Sequence, residues 1–386
     1  MESGLYRVLR ELDSPQGTRI RFGGFEFINF SSNDYLGLAG HPALKEAAVR
    51  AVHDFGAGAG ASRLICGSLK PFHDLEEALA AFKGAEACLT FSTGCAAALG
   101  AIPTLLGKDD VIVLDKRVHA CLVDAARLSG AKLRVFRHND SADLERILKW
   151  TRSRNPDHAS RCLVITESVF SVVGDLLLIQ QIVELKDRYG AWLLVDEAHA
   201  TGLFGERRSG LIEQLGLSGR VEIQMGTLGK AVGAAGGFIC GSRSLIDLLI
   251  NSARSFIFST APVPASAAAA RAGVELIQSA EGAERRRRVW ERTAQAQRLG
   301  GILPPKTGQI TTAASSPIIP LIIGGEQEAV RLAEALRERG FFIPAIRFPT
   351  VARGSARLRM TITADHDRED LDQLAAALQE TVNHKS

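Results

Sequence analysis

Short apolar runs alternate with longer segments of helical pattern through the middle of the chain. Seven such runs lie between residues 88 and 241, namely CLTFST, VIVLD, KLRVF, CLVITE, AWLLVDE, VEIQMG and GGFICG. Runs of this length without a polar face are typical of strands that are buried on both faces. Their alternation with helical segments predicts an α/β fold with a mostly parallel, seven-stranded sheet flanked by helices.

The regions on either side have different patterns. Near the start, GLYRVLREL predicts a short amphipathic helix, and TRIRFGGFEFINF predicts a hairpin that turns at Gly23 and Gly24. After Pro264, an alanine-rich helix leads to a smaller α+β portion. In that portion we expect strands near 318–323, 341–343 and 356–363, and a closing helix from Arg368 to about Val382.

These patterns suggest three parts. We expect an N-terminal segment of helix and hairpin at 1–40, a large domain at 41–266 and a small C-terminal domain at 267–386. Length supports this, because 386 residues suffice for two or three domains with ample cores.

Composition restricts the class of partner. The formal net charge is only +3, so neither a nucleic acid nor a membrane is expected as a partner. The basic run from Arg285 to Arg288 lies in a segment of helical pattern and is interpreted as a solvated helix face. The six cysteines form no CxxC pair and no metal-ligand spacing with histidine, so we expect reduced thiols, no bound metal and a cytoplasmic location.

Candidate chemistry is concentrated where two predicted strands end. Asp196 and His199 follow the run AWLLV, and Thr227 and Lys230 follow VEIQMG in a glycine-rich segment. Each residue alone would be read as a cap, a turn residue or a surface charge. Together they suit pyridoxal phosphate, because a lysine among small neighbours can form a Schiff base and a carboxylate can keep the pyridine nitrogen protonated.

Neighbouring segments supply further candidates. The helix that follows Gly94 presents free N–H groups to a phosphate, although an ordinary strand-to-helix turn would look the same. His119 follows another strand and could stack on a flat ring, while Ser171 lies in the loop after the next strand. The segment FGAGAGASR lacks the G-x-G-x-x-G spacing and is interpreted as a loop that permits close backbone approach.

Six motifs together resemble the α-oxoamine synthases, which are pyridoxal-phosphate enzymes of the aspartate-aminotransferase fold (fold type I). The motifs are FSSNDYLGL, FSTGCAAA, TESVFSVVGD, VDEAHATGLFGERRSG, TLGKAVGAAGG and IRFPTVARGSARLRMTITADH, and the likeness runs nearly from end to end. SSNDYLGL and IRFPTVARGSARLR are most similar to members that join L-alanine to a pimeloyl thioester in biotin biosynthesis.

The resemblance implies roles for individual residues. For the cofactor, Lys230 carries the Schiff base, Asp196 pairs with the pyridine nitrogen, His199 contacts the ring oxygen and His119 stacks on the ring. The remaining cofactor contacts come from Gly94, Cys95, Ser171, Thr227 and, on the neighbouring subunit's phosphate, Thr260.

For the substrates, the resemblance implies that Arg347 binds the amino-acid carboxylate, that Thr350 and Arg7 meet the acyl group, and that Asn33 and His119 also contact substrate. It further implies a homodimer. The chain departs from the family at Cys95, where an aromatic residue is frequent, and at Val173, where an acidic residue is frequent.

Other activities remain as alternatives at this point. The resemblance fits both a pimeloyl thioester of coenzyme A and one of acyl carrier protein, and related enzymes use glycine or serine with other acyl groups. A non-catalytic family member would lack Lys230, which is present. The DEAH at 196–199 also occurs in helicases, but no G-x-x-x-x-G-K-[ST] loop accompanies it.

Overall fold

The computed structural model describes residues 6–154, 160–298, 309–310 and 315–383. Its strands, numbered in chain order, are β1 Arg19–Phe22, β2 Phe25–Asn29, β3 Ala87–Phe91, β4 Val111–Asp115, β5 Lys132–Phe136, β6 Cys162–Glu167, β7 Trp192–Asp196, β8 Ile223–Thr227, β9 Gly237–Gly241, β10 Gln309–Ile310, β11 Ile318–Gly324, β12 Phe341–Phe342, β13 Ala345–Ile346 and β14 Ala356–Thr361.

Helices connect most of these strands. They are α1 Pro42–Phe55, α2 Lys70–Lys83, α3 Gly94–Leu105, α4 Ala120–Leu128, α5 Ser141–Ser153, α6 Ile179–Tyr189, α7 Leu211–Gln214, α8 Arg243–Ser252, α9 Arg254–Ile257, α10 Pro264–Gln278, α11 Ala280–Gln297, α12 Glu326–Glu338 and α13 Arg368–Asn383.

The chain divides into two compact units. The larger one comprises residues 41–170 and 176–279, and the smaller one comprises 1–40, 171–175 and 280–386. The N-terminal segment and the C-terminal portion therefore belong to one unit, while the alanine-rich helix α10 packs on α1 and α2 in the other.

A seven-stranded sheet in the order β3-β9-β8-β7-β6-β4-β5 forms the centre of the larger unit. Strand β9 is antiparallel to both of its neighbours, and the other adjacent pairs are parallel. All seven predicted runs form strands of this sheet, so the predicted fold class is confirmed. The parallel direction brings the C-terminal ends of β3, β6, β7 and β8 to one edge, which is where open α/β sheets bind ligands.

Burial explains why the sequence pattern was so clear in this unit. Every residue of β3 and β4 is buried, and so is every residue of β6 and β7 except the first. These strands are therefore covered on both faces. One apolar cluster includes Leu89, Ile112, Ile165 and Leu194 from the strands and Ala97 from helix α3. This core fixes the strand ends from which the candidate residues project.

The smaller unit contains two sheets, β1-β2-β12 and β10-β11-β14-β13. The predicted hairpin is confirmed: Phe22 pairs with Phe25, and the two glycines between them have φ of 60° and 80°. The core of the smaller unit joins Phe30 to residues of β11, β14 and α13, including Ile319, Leu358 and Leu374.

The prediction of an N-terminal helix is wrong for the described part of the segment, residues 6–12. Residues 6–12 form no helix, while Gly4 and Leu5 lie outside the described residues. Tyr6, Val8 and Leu9 are exposed, so the apolar positions of the segment have little surface to pack on. A segment this short does not hold a helix in water without such packing.

Among the described residues, no helix is both long and apolar enough to span a bilayer.

Candidate active site

A cavity of about 170 Å³ opens where strands β7 and β8 end in the larger unit. Seven of the predicted site residues line it: Gly94, Cys95, His119, Asp196, His199, Thr227 and Lys230. Cys121, Glu167 and Met225 also line it. The cavity thus gathers an amine, two carboxylates and two imidazoles in one place.

Lys230 lies in a tight loop between β8 and β9. Backbone hydrogen bonds from Leu228 N–H to Gly236 O and from Gly233 N–H to Lys230 O, both 2.9 Å, close this loop. The Lys230 Nζ lies 2.7 Å from Nε2 of His199, which is itself buried. The loop therefore holds the amine at the cavity and beside a ring that can exchange a proton with it.

Asp196 is the last residue of β7 and is buried. Its Oδ1 accepts a hydrogen bond from the Ala198 N–H at 2.9 Å, and its carbonyl accepts one from the Ser168 N–H at 2.9 Å. Burial raises the pKa of Asp196, while the Lys230 ammonium and the Ala198 N–H act in the opposite direction. A buried carboxylate of this kind favours a cationic partner inside the cavity.

His119 precedes helix α4 and acts as its N-cap. Its Nδ1 accepts a hydrogen bond from the Cys121 N–H at 3.3 Å. Desolvation lowers the pKa of His119, opposed by Asp196 and reinforced by Lys230. Nδ1 also lies 3.0 Å from the Sγ of Cys121, so both contacts hold the ring against the first turn of α4.

Helix α3 begins at the cavity. Thr93 caps it by accepting the Ala96 N–H at 3.0 Å, while the first turn leaves the N–H groups of Gly94 and Cys95 without intrahelical acceptors. A Cβ at Gly237 would lie 2.4 Å from the Gly94 nitrogen, so only glycine lets β9 approach the start of α3 this closely. This arrangement suits a bound phosphate.

Thr227 shapes the loop that carries the lysine. Its Oγ1 donates to Gly236 O at 3.0 Å and accepts from Gly229 N–H at 3.2 Å. Thr260, the residue predicted to act on a neighbouring subunit, is exposed and forms a β-bridge with Ser62.

The other predicted residues, Ser171, Asn33, Arg7, Arg347 and Thr350, belong to the smaller unit. Arg7 and Arg347 line a cavity of about 460 Å³ there. Desolvation lowers the pKa of Arg347, with like-charge repulsion from Arg7 and Arg10 adding to it. Thr350 N–H donates to Arg347 O at 3.0 Å, and Arg7 Nη2 donates to Phe348 O at 3.2 Å.

Two functional candidates in the structure were missed at the sequence level. Arg359 on β14 is only 8% exposed, and its guanidinium donates to Asn33 Oδ1 at 3.0 Å and to Ser171 O at 2.6 Å. It thereby joins two predicted site residues of the smaller unit. The available signal was weak, because the strand ARLRMT has a second arginine, Arg357, two positions before Arg359.

Glu167 is the second candidate. It is an acid at the end of a strand, as Asp196 is.

The residues of the larger unit fit pyridoxal phosphate. The cavity offers an amine for the aldehyde, a buried carboxylate for the pyridine nitrogen and a helix N-terminus for the phosphate.

Comparison with known proteins agrees with this fit. Residues 26–378 match the family model described as aminotransferase class I and II, and the chain belongs to this family. Within it, the chain is similar to enzymes named 8-amino-7-oxononanoate synthase. It is 45% identical over 377 residues to the 8-amino-7-oxononanoate synthase of Geobacter sulfurreducens, covering 98% of this chain and 94% of that one. The same enzyme of Symbiobacterium thermophilum is 43% identical, with coverage of 97% and 93%.

Solved structures of enzymes with two different names share this fold. Serine palmitoyltransferase of S. paucimobilis, with a bound PLP–myriocin aldimine, matches with a TM-score of 0.90 and 28% identity over 97% of this chain and 92% of that one. The 8-amino-7-oxononanoate synthase of Francisella tularensis matches with a TM-score of 0.78 and 26% identity over 93% and 98%. The expected fold family is therefore confirmed.

Proposed function

We propose that this chain joins L-alanine to a pimeloyl thioester and releases 8-amino-7-oxononanoate, carbon dioxide and the free thiol, a step of biotin biosynthesis. Its cofactor is pyridoxal phosphate. The observation that carries the proposal is the single cavity in which Lys230, Asp196 and His119 meet at the start of helix α3. The names of relatives that align over almost the whole chain supply the particular reaction.

Bound pyridoxal phosphate supplies an aldehyde for an amine and a ring that withdraws electrons from the substrate Cα. In our proposal, Lys230 would hold the cofactor through its amine. With alanine bound, the free Nζ would accept the Cα proton and would later return a proton to the product. His199, 2.7 Å away, accepts or donates a hydrogen bond so that Nζ keeps its orientation.

Asp196 provides a fixed negative charge. Its burial raises the cost of leaving it unpaired, so a protonated ring nitrogen is stabilised beside it. The charge is already in place before the reaction begins and needs no solvent reorganisation, which is the way in which preorganised groups lower a barrier.

In our proposal, the other cofactor contacts come from one imidazole, two backbone N–H groups and three hydroxyl side chains. His119 would lie against one face of the ring. The N–H groups of Gly94 and Cys95 hold the phosphate with Thr227 and Ser171, and Thr260 reaches the phosphate held by a second copy of the chain. A homodimer follows from this last assignment.

Two arginines are candidates for the alanine carboxylate. Arg347 is the one that we proposed from the sequence. Arg359 is favoured by its burial and by its hydrogen bonds to Asn33, Ser171 and Thr361, which fix the orientation of the guanidinium. Separate Arg347→Lys and Arg359→Lys variants distinguish them, since the carboxylate-binding position loses affinity for alanine far more than for the acyl donor.

The acyl donor is proposed to contact Arg7, Thr350 and Asn33. Its carrier is either coenzyme A or acyl carrier protein. All six cysteines are free thiols, which fits the reducing conditions of the cytoplasm, where we expect the enzyme to act.

Product analysis tests the proposal. The purified protein with pyridoxal phosphate, L-alanine and pimeloyl-CoA or its acyl-carrier-protein counterpart should release 8-amino-7-oxononanoate, detected by mass spectrometry. Glycine with acetyl-CoA serves as the matched test of the nearest alternative, which would give 2-amino-3-oxobutanoate. Product from glycine alone, with none from alanine and either pimeloyl donor, would overturn the proposed activity.

A further inference from the structure

Glu167 is a second buried carboxylate of the cavity, and the mechanism above assigns it no role. It is the last residue of β6 and is only 2% exposed. In the parallel pairing of β6 with β7 it lies directly beside Asp196. Both side chains reach the same cavity. An acid in this position is costly to bury unless it is tied to specific partners.

The Glu167 carboxylate accepts the backbone N–H of His119 in a short hydrogen bond. This contact spans 48 positions of the sequence and joins the end of β6 to the start of helix α4. Asp115 holds the opposite end of the turn that precedes His119. Its Oδ1 accepts the Arg117 N–H at 2.8 Å, and its carbonyl accepts the Val118 N–H at 3.3 Å. Glu167 is therefore the tie at the His119 end of the turn.

The position of the His119 backbone controls the position of its ring. The ring is fixed at Nδ1 by the Cys121 N–H at 3.3 Å, which lies in the first turn of α4. His119 is thus linked to β6 through the contact of its N–H with Glu167, and to α4 through its ring and through its carbonyl, which accepts the Leu122 N–H at 3.0 Å. Loss of the link to β6 would leave the ring attached to α4 but no longer held to β6 at the cavity.

We propose that Glu167 is a positioning residue that holds His119 against the ring of the cofactor by accepting the His119 N–H. The inference rests on the proposed function, because it uses the assignment of His119 as the ring-stacking residue. The negative charge of Glu167 near the N-terminus of α4 also stabilises its contact with the His119 N–H. The reach of the carboxylate matters in this role, whereas a general electrostatic role would depend only on its charge.

Two conservative variants separate reach from charge. Glu167→Gln keeps an oxygen at the same distance and loses the charge, while Glu167→Asp keeps the charge and withdraws the oxygen by one methylene. We expect Glu167→Asp to lower kcat/KM for alanine and the affinity for pyridoxal phosphate by roughly 10- to 100-fold, and Glu167→Gln to lower them by less than about 5-fold. The opposite ranking would overturn the proposal.

A double-mutant cycle identifies the partner. In a His119→Ala background, Glu167→Asp should change the pyridoxal phosphate dissociation constant by less than about 3-fold, because the ring that it positions is already gone. Full additivity of the two changes would contradict a positioning role. This readout needs no substrate, so it stands even if the protein fails to produce 8-amino-7-oxononanoate, which would count against the proposed function alone.

Glu222 supplies the matched control. Its Oε2 accepts the N–H of Leu193 at 2.8 Å, near the end of β7 opposite Asp196. Shortening it in Glu222→Asp breaks the same type of carboxylate-to-backbone bond and also disturbs the ion pair of Glu222 with Lys186. It should lower thermal stability and leave the dissociation constant of pyridoxal phosphate within about 2-fold of the wild-type value. An equal loss of cofactor affinity in both variants would show a general structural effect and overturn the specific role of Glu167.

Discussion

The Nζ of Lys230 lies 2.7 Å from Nε2 of His199, although the two residues belong to different segments of the chain. One follows β8 and the other follows β7, and these strands are adjacent and parallel. The pairing of the strands therefore brings the amine and the imidazole together. The same pairing places Asp196 at the edge from which the lysine loop starts.

The charge of Asp196 should be essential for the reaction and not for folding. Asp196→Asn retains an oxygen that accepts the Ala198 N–H and loses the charge that stabilises a protonated ring nitrogen. We expect kcat to fall by at least roughly 10²-fold, with thermal stability close to that of the wild type. Steady-state kinetics and thermal unfolding of the cofactor-loaded protein check this, and activity within a few fold of normal would contradict the role of Asp196.

Close approach of β9 to helix α3 should be required for phosphate binding. In Gly237→Ala the added Cβ would meet the Gly94 nitrogen at 2.4 Å and displace the start of α3. We expect a destabilisation of about 1–3 kcal/mol together with weaker binding of pyridoxal phosphate. Gly107→Ala is the control, because no heavy atom lies within 4 Å of its added Cβ. Equal cofactor affinity in the two variants would refute this account of α3.

A buried ion pair supports the segment that follows Asp196. Lys83 Nζ lies 2.8 Å from Glu197 Oε2 and 2.6 Å from Ser209 O, and the side chains of Lys83 and Glu197 are 0% and 1% exposed. Lys83→Met should cost about 3–5 kcal/mol in the free energy of unfolding, because it leaves the Glu197 carboxylate buried without its cation.

Denaturant titration measures this cost. The exposed pair of Arg287 with Glu284 on α11 is the control, since Arg287→Met should leave the stability close to that of the wild type. A loss in Lys83→Met as small as that of the control would show that the buried pair does not stabilise the fold.

His366 should make the stability of the protein depend on pH. Its ring stacks on Phe30, and burial lowers its pKa from 6.5 to about 4. The unfolded chain therefore binds a proton at higher pH than the folded protein does. Stability is retained above pH 6.5 and is lost as the pH falls from there towards 4, by about 3 kcal/mol through this group.

The variant His366→Gln isolates this contribution from that of the carboxylates. The difference in unfolding free energy between the wild type and the variant should shrink as the pH falls from 7 to about 4. A difference that stays constant over this range would show that His366 does not titrate on unfolding.

Much of the larger unit was predictable because its strands are buried on both faces. VIVLD and WLLVD leave no polar face, so the same apolar run predicts both that the strand is buried and how long it is. The position of Lys230 at the cavity was predictable from its small neighbours, and that of Asp196 from its place after an apolar run. These signals are local in sequence.

What sequence did not predict depends on contacts between distant segments. The role of Arg359 is visible only from its hydrogen bonds to Asn33 and Ser171, which lie 326 and 188 positions away. Glu167 likewise needs its contact with His119. The helix predicted at GLYRVLREL failed for the opposite reason, since its local pattern was helical and the packing that would stabilise it is missing from the described part of the segment.

The central claim is that the amine of Lys230 is covalently joined to pyridoxal phosphate. The most direct measurement is reduction of the purified enzyme with borohydride, followed by proteolysis and mass spectrometry of the peptides. We predict a phosphopyridoxyl group on the peptide that contains Lys230, and no such label in Lys230→Ala, whereas the surface control Lys45→Ala should be labelled like the wild type. Label on another lysine, or an unlabelled Lys230 in protein that has bound the cofactor, would contradict the account.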